Sequence, residues 1–72
     1  MSQRIELLDV VALLFDQPES GLVRGQVGTV VEVLEPDAFE VEFSDDEGRT
    51  YASLALPAGQ LIVLHHRPVA AA

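Results

Sequence analysis

Apolar and polar residues in this chain alternate in short runs, interrupted by turn signals at the intervals expected of a small all-β domain. The clearest run is Phe39 to Ser44, where Phe39, Val41 and Phe43 share one face and Glu40, Glu42 and Ser44 the other. Arg49 to about Leu54 continues the pattern, with Tyr51 and Ser53 set against Thr50, Ala52 and Leu54. Between these runs, Asp45-Asp46-Glu47-Gly48 reads as a hairpin turn with Gly48 in the left-handed position. Val27 to Leu34 is less tidy: Val27, Thr29, Val31 and Val33 alternate with Gly28, Val30, Glu32 and Leu34. Apolar groups on both faces fit a coiled strand that passes from one sheet of a barrel to the other.

The remaining segments complete a five-stranded pattern. A first strand covers about Asp9 to Phe15, and Asp16 to Gly21 forms a loop in which Pro18 pushes Gln17 towards extended geometry. Glu35-Pro36-Asp37 turns the chain, Pro57 to Gln60 makes one helical or 3₁₀ turn, and Leu61 to His65 closes as a short last strand. The N-terminus is ambiguous by period, because Ile5, Leu8, Ala12 and Phe15 also fit one face of a helix. The β-branched pair Val10-Val11 and the need for a fifth strand favour a short turn at Ile5 to Leu8 followed by a strand.

Gly21, Gly25 and Gly28 stand directly before the β-branched run, as suits a loop that doubles back into a bent strand. With Gly48 they are the expected structural turn positions of a small closed β-barrel spanning residues 1–67. Pro68 to Ala72 reads as a disordered C-terminal tail.

Composition narrows the function more than it defines it. Seventy-two residues, 49% hydrophobic, suffice for one compact core and leave little for a deep ligand cavity. The absence of cysteine removes disulfides, thiolate nucleophiles and Cys-type zinc sites, and favours a reducing compartment. Val10 to Phe15 is far shorter than a membrane span, and Glu6 and Asp9 interrupt any signal-like apolar region, so a cytoplasmic protein is expected. Twelve acids against four arginines give a formal charge of −8, the wrong sign for nucleic acid or anionic membrane. That charge serves solubility and would speed encounter with a basic partner.

The individual chemical signals are weak. His65 and His66 are neighbours on an extended segment and point to opposite faces, so they do not chelate one ion. Counted from Asp45, the twelfth position of a calcium loop is Leu56 instead of glutamate. None of the four serines sits in a Gly-x-Ser-x-Gly elbow, and the glycines lack the Gly-Lys-Ser/Thr ending of a phosphate loop. No catalytic residue, cofactor or metal is expected, and the protein reads as a non-enzyme. One feature stands out: Glu40 and Glu42 share a strand face, Glu32 can join them from the neighbouring strand, and Asp45 and Asp46 lie at the hairpin tip. Like charges directly opposed across strands are destabilising, so stability gives no reason to gather them. These five are the candidate partner-binding residues.

Asp9-Val10-Val11-Ala12-Leu13, Gly21-Leu22, Arg24-Gly25, Val27-Gly28-Thr29-Val30, Phe39-x-Val41-x-Phe43 and Tyr51-Ala52 together resemble a family of short bacterial proteins. That family is catalogued as a domain of unknown function, family four-nine-two-six. The resemblance covers about Ile5 to His65, with Arg-Gly-x-Val-Gly-Thr-Val its most specific block, and implies a small SH3-like β-barrel. It carries no catalytic residues. It implies a protein partner, with the neutralising, antitoxin-like half of a toxin–antitoxin pair as one role. The Arg-Gly-x-x-Gly-x-Val turn is also similar to that of the nitrile hydratase β subunit, a barrel that packs on a metal-bearing partner.

The sequence therefore leads to two expectations. The first is a protein-interaction module, monomeric or weakly dimeric, that uses its acidic face on a basic protein. The second is a structural or accessory subunit of a multi-subunit metalloenzyme without catalytic residues of its own.

Overall fold

A computed structural model describes residues 4–66 and 68. The expected tail at Pro68 to Ala72 lies, Pro68 apart, outside the described residues, as does residue 67. Five strands are present: β1 (Val10–Leu13), β2 (Val27–Leu34), β3 (Ala38–Ser44), β4 (Thr50–Pro57) and β5 (Leu61–Val63). Two 3₁₀ turns, Pro18–Ser20 and Ala58–Gln60, lie in the connections, so the chain has one more such turn than the sequence pattern predicts. Among the described residues no helix is long and apolar enough to cross a membrane.

All pairing is antiparallel, in the order β4-β3-β2-β1-β5. In the meander β1 to β4, a long loop over residues 14–26 joins β1 to β2 and short turns join β2 to β3 and β3 to β4, and the Ala58–Gln60 turn carries the chain back so that β5 pairs with β1. The two ends of the sheet, β4 and β5, do not pair with each other. β1 and β5 are shorter than expected, while β4 extends to Pro57. Leu14 still donates its N–H to the Gln60 carbonyl, but Leu14 and Phe15 are exposed and leave the ladder. At the N-terminus the turn prediction holds: Glu6 to Asp9 closes a tight turn with the Asp9 N–H on the Glu6 carbonyl.

The inward residues of the strands form the core. Val11, Leu13, Val30, Val41, Phe43 and Leu61 are almost completely buried, with Ile5, Leu22, Phe39 and Leu56 packed around them. Each such side chain contributes roughly 1.5–3 kcal/mol relative to exposure, which a chain this small depends on. Gly28 is buried opposite Val11 for a steric reason. A Cβ there would lie 2.7 Å from Val41 Cγ1 and 2.9 Å from the Glu42 carbonyl oxygen, so the close approach of β3 to β2 requires glycine. Gly21, Gly25 and Gly48 serve differently, with φ of 73°, 93° and 83°.

Candidate functional site: the acidic outer face of the sheet

Strict alternation along β2 would put Glu32 on the same side as buried Val30. It does not lie there. The β2–β3 register runs Val30↔Val41 and then Glu32↔Glu40, leaving Val31 as an extra residue in a bulge. A bulge of this kind re-aims every later side chain of its strand. Glu32 therefore turns outward, directly across from Glu40. Glu42, two residues along β3, lies between Thr29 of β2 and Ser53 of β4. The outer face of β2 and β3 thus carries Glu32, Glu40 and Glu42 together, the grouping expected from sequence.

Their electrostatic surroundings are one-sided. The ion pairs among the described residues are Arg4–Glu6, Arg49–Asp45 and Arg49–Glu47. None neutralises the three glutamates. The Ser53 hydroxyl donates to a Glu40 carboxylate oxygen at 2.7 Å, which orients that side chain and leaves its charge in place. Glu40 and Glu42 are half-buried by their neighbours, and Glu32 is exposed.

Asp45, the fourth candidate, has a local task. Its Oδ1 accepts the N–H groups of Glu47 and Arg49, each at 2.9 Å, and its Oδ2 accepts from Arg49 Nε at 3.3 Å. These contacts, the Arg49 N–H foremost, hold its carboxyl below the ordinary aspartate range, a lowering that desolvation partly opposes. Glu47 also pairs with the Arg49 guanidinium. The hairpin tip is thus an Asx-type turn closed by an arginine, with Asp46 exposed beside it. The stripe and the tip are distinct: the first is an unneutralised row of carboxylates, the second a partly compensated cap.

The same outer face has an apolar half that alternation alone does not reveal. Ala12 of β1 lies between Val27 of β2 and Ile62 of β5, and Val10 lies beside Thr29. Val27 and Ile62 remain 46% and 43% exposed, while Ala12, screened by both, is buried. Tyr51, the extra residue at the β3–β4 register shift, has its ring 6.5 Å from that of Phe43, and its hydroxyl accepts from Gln26 Nε2 at 3.0 Å. The cross-strand register was the missing signal, because Val27, Ala12 and Ile62 are distant in sequence. His65 and His66 follow β5 and are exposed, and among the described residues no group of three or more His, Cys, Asp or Glu is gathered to hold a metal ion.

A five-stranded antiparallel sheet in this order, with a 3₁₀ turn before the last strand, defines a small SH3-like β-barrel domain. The chain belongs to the family described as "Domain of unknown function (DUF4926)", whose model matches residues 7–63. No curated protein and no solved structure matches it.

Proposed function

We propose that this domain is a non-enzymatic, cytoplasmic protein-interaction module that binds a more basic protein through the Glu32–Glu40–Glu42 face, as an antitoxin-like neutralising partner does. The observation that supports this reading is the bulge at Val31, which sets Glu32 opposite Glu40 with no ion pair to either among the described residues. A like-charged cross-strand pair is unfavourable in the free protein, by a few tenths of a kcal/mol up to about 1 kcal/mol. Binding to Lys or Arg groups removes that repulsion. The charges also steer association, so their effect falls chiefly on the on-rate and is strongest at low salt.

The test is charge reversal. Glu32→Lys, Glu40→Lys and Glu42→Lys together leave the melting temperature within a few degrees, since charges at the sheet surface contribute little to stability. With the product of a neighbouring gene as the assayed partner, the triple variant associates at least about tenfold more slowly at low salt. Equal rates for variant and wild type would exclude the acidic face as the docking surface.

A second reading has its own support. The apolar outer half, with Val27 and Ile62 nearly half exposed, suits a structural or accessory subunit that packs on a larger, metal-bearing enzyme. Such a subunit aggregates when expressed alone, whereas the interaction module stays soluble.

A further inference from the structure

Among the described residues β4 is an edge strand of eight residues, bonded to β3 on one side only. Its free side can be identified from the ladder. Ala58 donates its N–H to the Asp37 carbonyl, and the register then runs without a break from Ala38↔Pro57 to Phe43↔Ala52. Antiparallel pairs alternate between those that exchange backbone bonds and those that do not. Leu56, Leu54 and Ala52 therefore exchange bonds with β3. The N–H and C=O groups of Ser53 and Ala55 point away from the sheet.

Edge strands that are meant to stay alone carry charges, bulges in mid-strand or prolines there. β4 has its bulge at the hairpin end, beside Ser44, and its proline at the other end. Between them, from Tyr51 to Leu56, there is no charged residue, although 22% of the chain is charged. Ser53 and Ala55 are exposed. The nearest acids on this face, Glu40 and Glu42, lie one strand back, and Glu40 is tethered by Ser53.

We propose that this edge pairs with a second copy of the same chain, β4 to β4 in antiparallel orientation, Ser53 of each copy opposite Ala55 of the other. This inference goes beyond the partner reading above and does not depend on it. Charge decides the occupant and the orientation. Two chains of charge −8 repel, so self-association requires a neutral strip at the contact, which β4 provides. A parallel arrangement would set two acidic hairpin tips, Asp45 to Glu47, side by side. The antiparallel one sets each tip against the other copy's Pro57–Gln60 turn, which has no charge. Across the new pair the two glutamate stripes are separated by three inter-strand spacings, roughly 14 Å, which exceeds the Debye length of about 8 Å at physiological salt. The contact is small, so the dimer is transient, with a dissociation constant on the order of 0.1 mM.

The experiment is sedimentation equilibrium combined with amide hydrogen exchange, on the full chain between about 10 μM and 2 mM protein. The expected result is a monomer–dimer equilibrium that strengthens at least about threefold as salt is raised, because screening relieves like-charge repulsion. Docking of a basic partner on the acidic face weakens with salt, so the two proposals fail independently. Exchange at Ser53 and Ala55 slows with protein concentration, while Val41, within the sheet, does not change. Ala55→Pro removes an outward N–H without touching the β3 ladder and raises the dissociation constant at least about tenfold. Ala55→Asp, which keeps the N–H, places two charges near the two-fold axis and has the same effect; both variants are checked for an unchanged β3 exchange pattern. If Ala55→Pro fails that check, Ala55→Asp decides. A monomer at 2 mM and high salt, or a dimer that the folded Ala55 variants leave intact, would overturn the proposal.

Discussion

Glu32 of β2 faces Glu40 of β3 across the sheet, and it does so because Val31 is an extra residue between two register-matched pairs. Without the bulge, Glu32 would continue the inward side of Val30 and the hydrophobic core would receive a carboxylate. The bulge thus resolves a conflict in the sequence and creates the acidic stripe in the same step. Replacing Glu32 by Thr, which favours strands and carries no charge, should raise stability by about 0.5 kcal/mol at low salt. The gain should shrink as salt is added, and chemical denaturation at two ionic strengths measures it. A loss of stability on this replacement would mean that Glu32 and Glu40 do not repel.

Gly28 is the least replaceable glycine. A Cβ at this position meets backbone as well as side chain, and the Glu42 carbonyl cannot move without disturbing the β2–β3 ladder. Gly28→Ala should cost about 2 kcal/mol and Gly28→Val more, lowering the melting temperature by about 10 °C or beyond. Gly59 has open space around its missing side chain and an ordinary φ, so Gly59→Ala should be close to neutral. Thermal unfolding of the three variants tests the ranking.

Much of this fold was legible in the sequence, and the exceptions share one cause. The β3 face of Phe39, Val41 and Phe43 and the left-handed Gly48 follow from period and turn chemistry, which are local. The orientation of Glu32 does not, because a bulge is invisible to a strict count of two. The row Val27–Ala12–Ile62 was equally hidden, since it exists only once β1 has paired on both sides. The division of the candidate site is equally non-local: Asp45 and Glu40 look alike in sequence, yet one is bound to Arg49 and the other has no ion pair among the described residues.

Asp45 gives the hairpin a defined response to acid. Its carboxyl is held low in the folded protein, so its contribution is complete above the unfolded pKa of about 4 and disappears as pH falls through the lower folded value. Below about pH 4 the wild type should lose stability from this source. Asp45→Asn keeps an acceptor for the two backbone N–H groups and removes the titration. Its stability should be lower than wild type at pH 7 and converge with it near pH 2, as denaturant midpoints across that range would show. Parallel curves at every pH would mean that the Arg49 contacts do not distinguish the charged form.

Leu8 occupies a left-handed conformation, φ 71°, and the residue is 70% exposed. A non-glycine residue there carries backbone strain on the order of 1 kcal/mol that no burial of Leu8 offsets. Leu8→Asn, which tolerates this region, should be neutral or raise the melting temperature by a few degrees. A drop beyond about 1 kcal/mol would show that the Leu8 side chain stabilises the fold despite its exposure.

A cationic peptide provides a probe of the acidic face that does not require the natural partner. Lysine-rich peptide added at low salt should perturb the amide resonances of Glu32, Glu40, Glu42 and Ser53, because those carboxylates have no compensating cation among the described residues. The hairpin tip should respond less, although it carries as many acids, because Asp45 and Glu47 already face Arg49. Salt at about 0.5 M should abolish the perturbation. In Arg49→Ala the tip loses its cation, and its resonances should then join the response. If the tip of the wild type responds as strongly as the stripe, local neutralisation does not govern where cations bind. The bulge at Val31 would then have no bearing on partner choice.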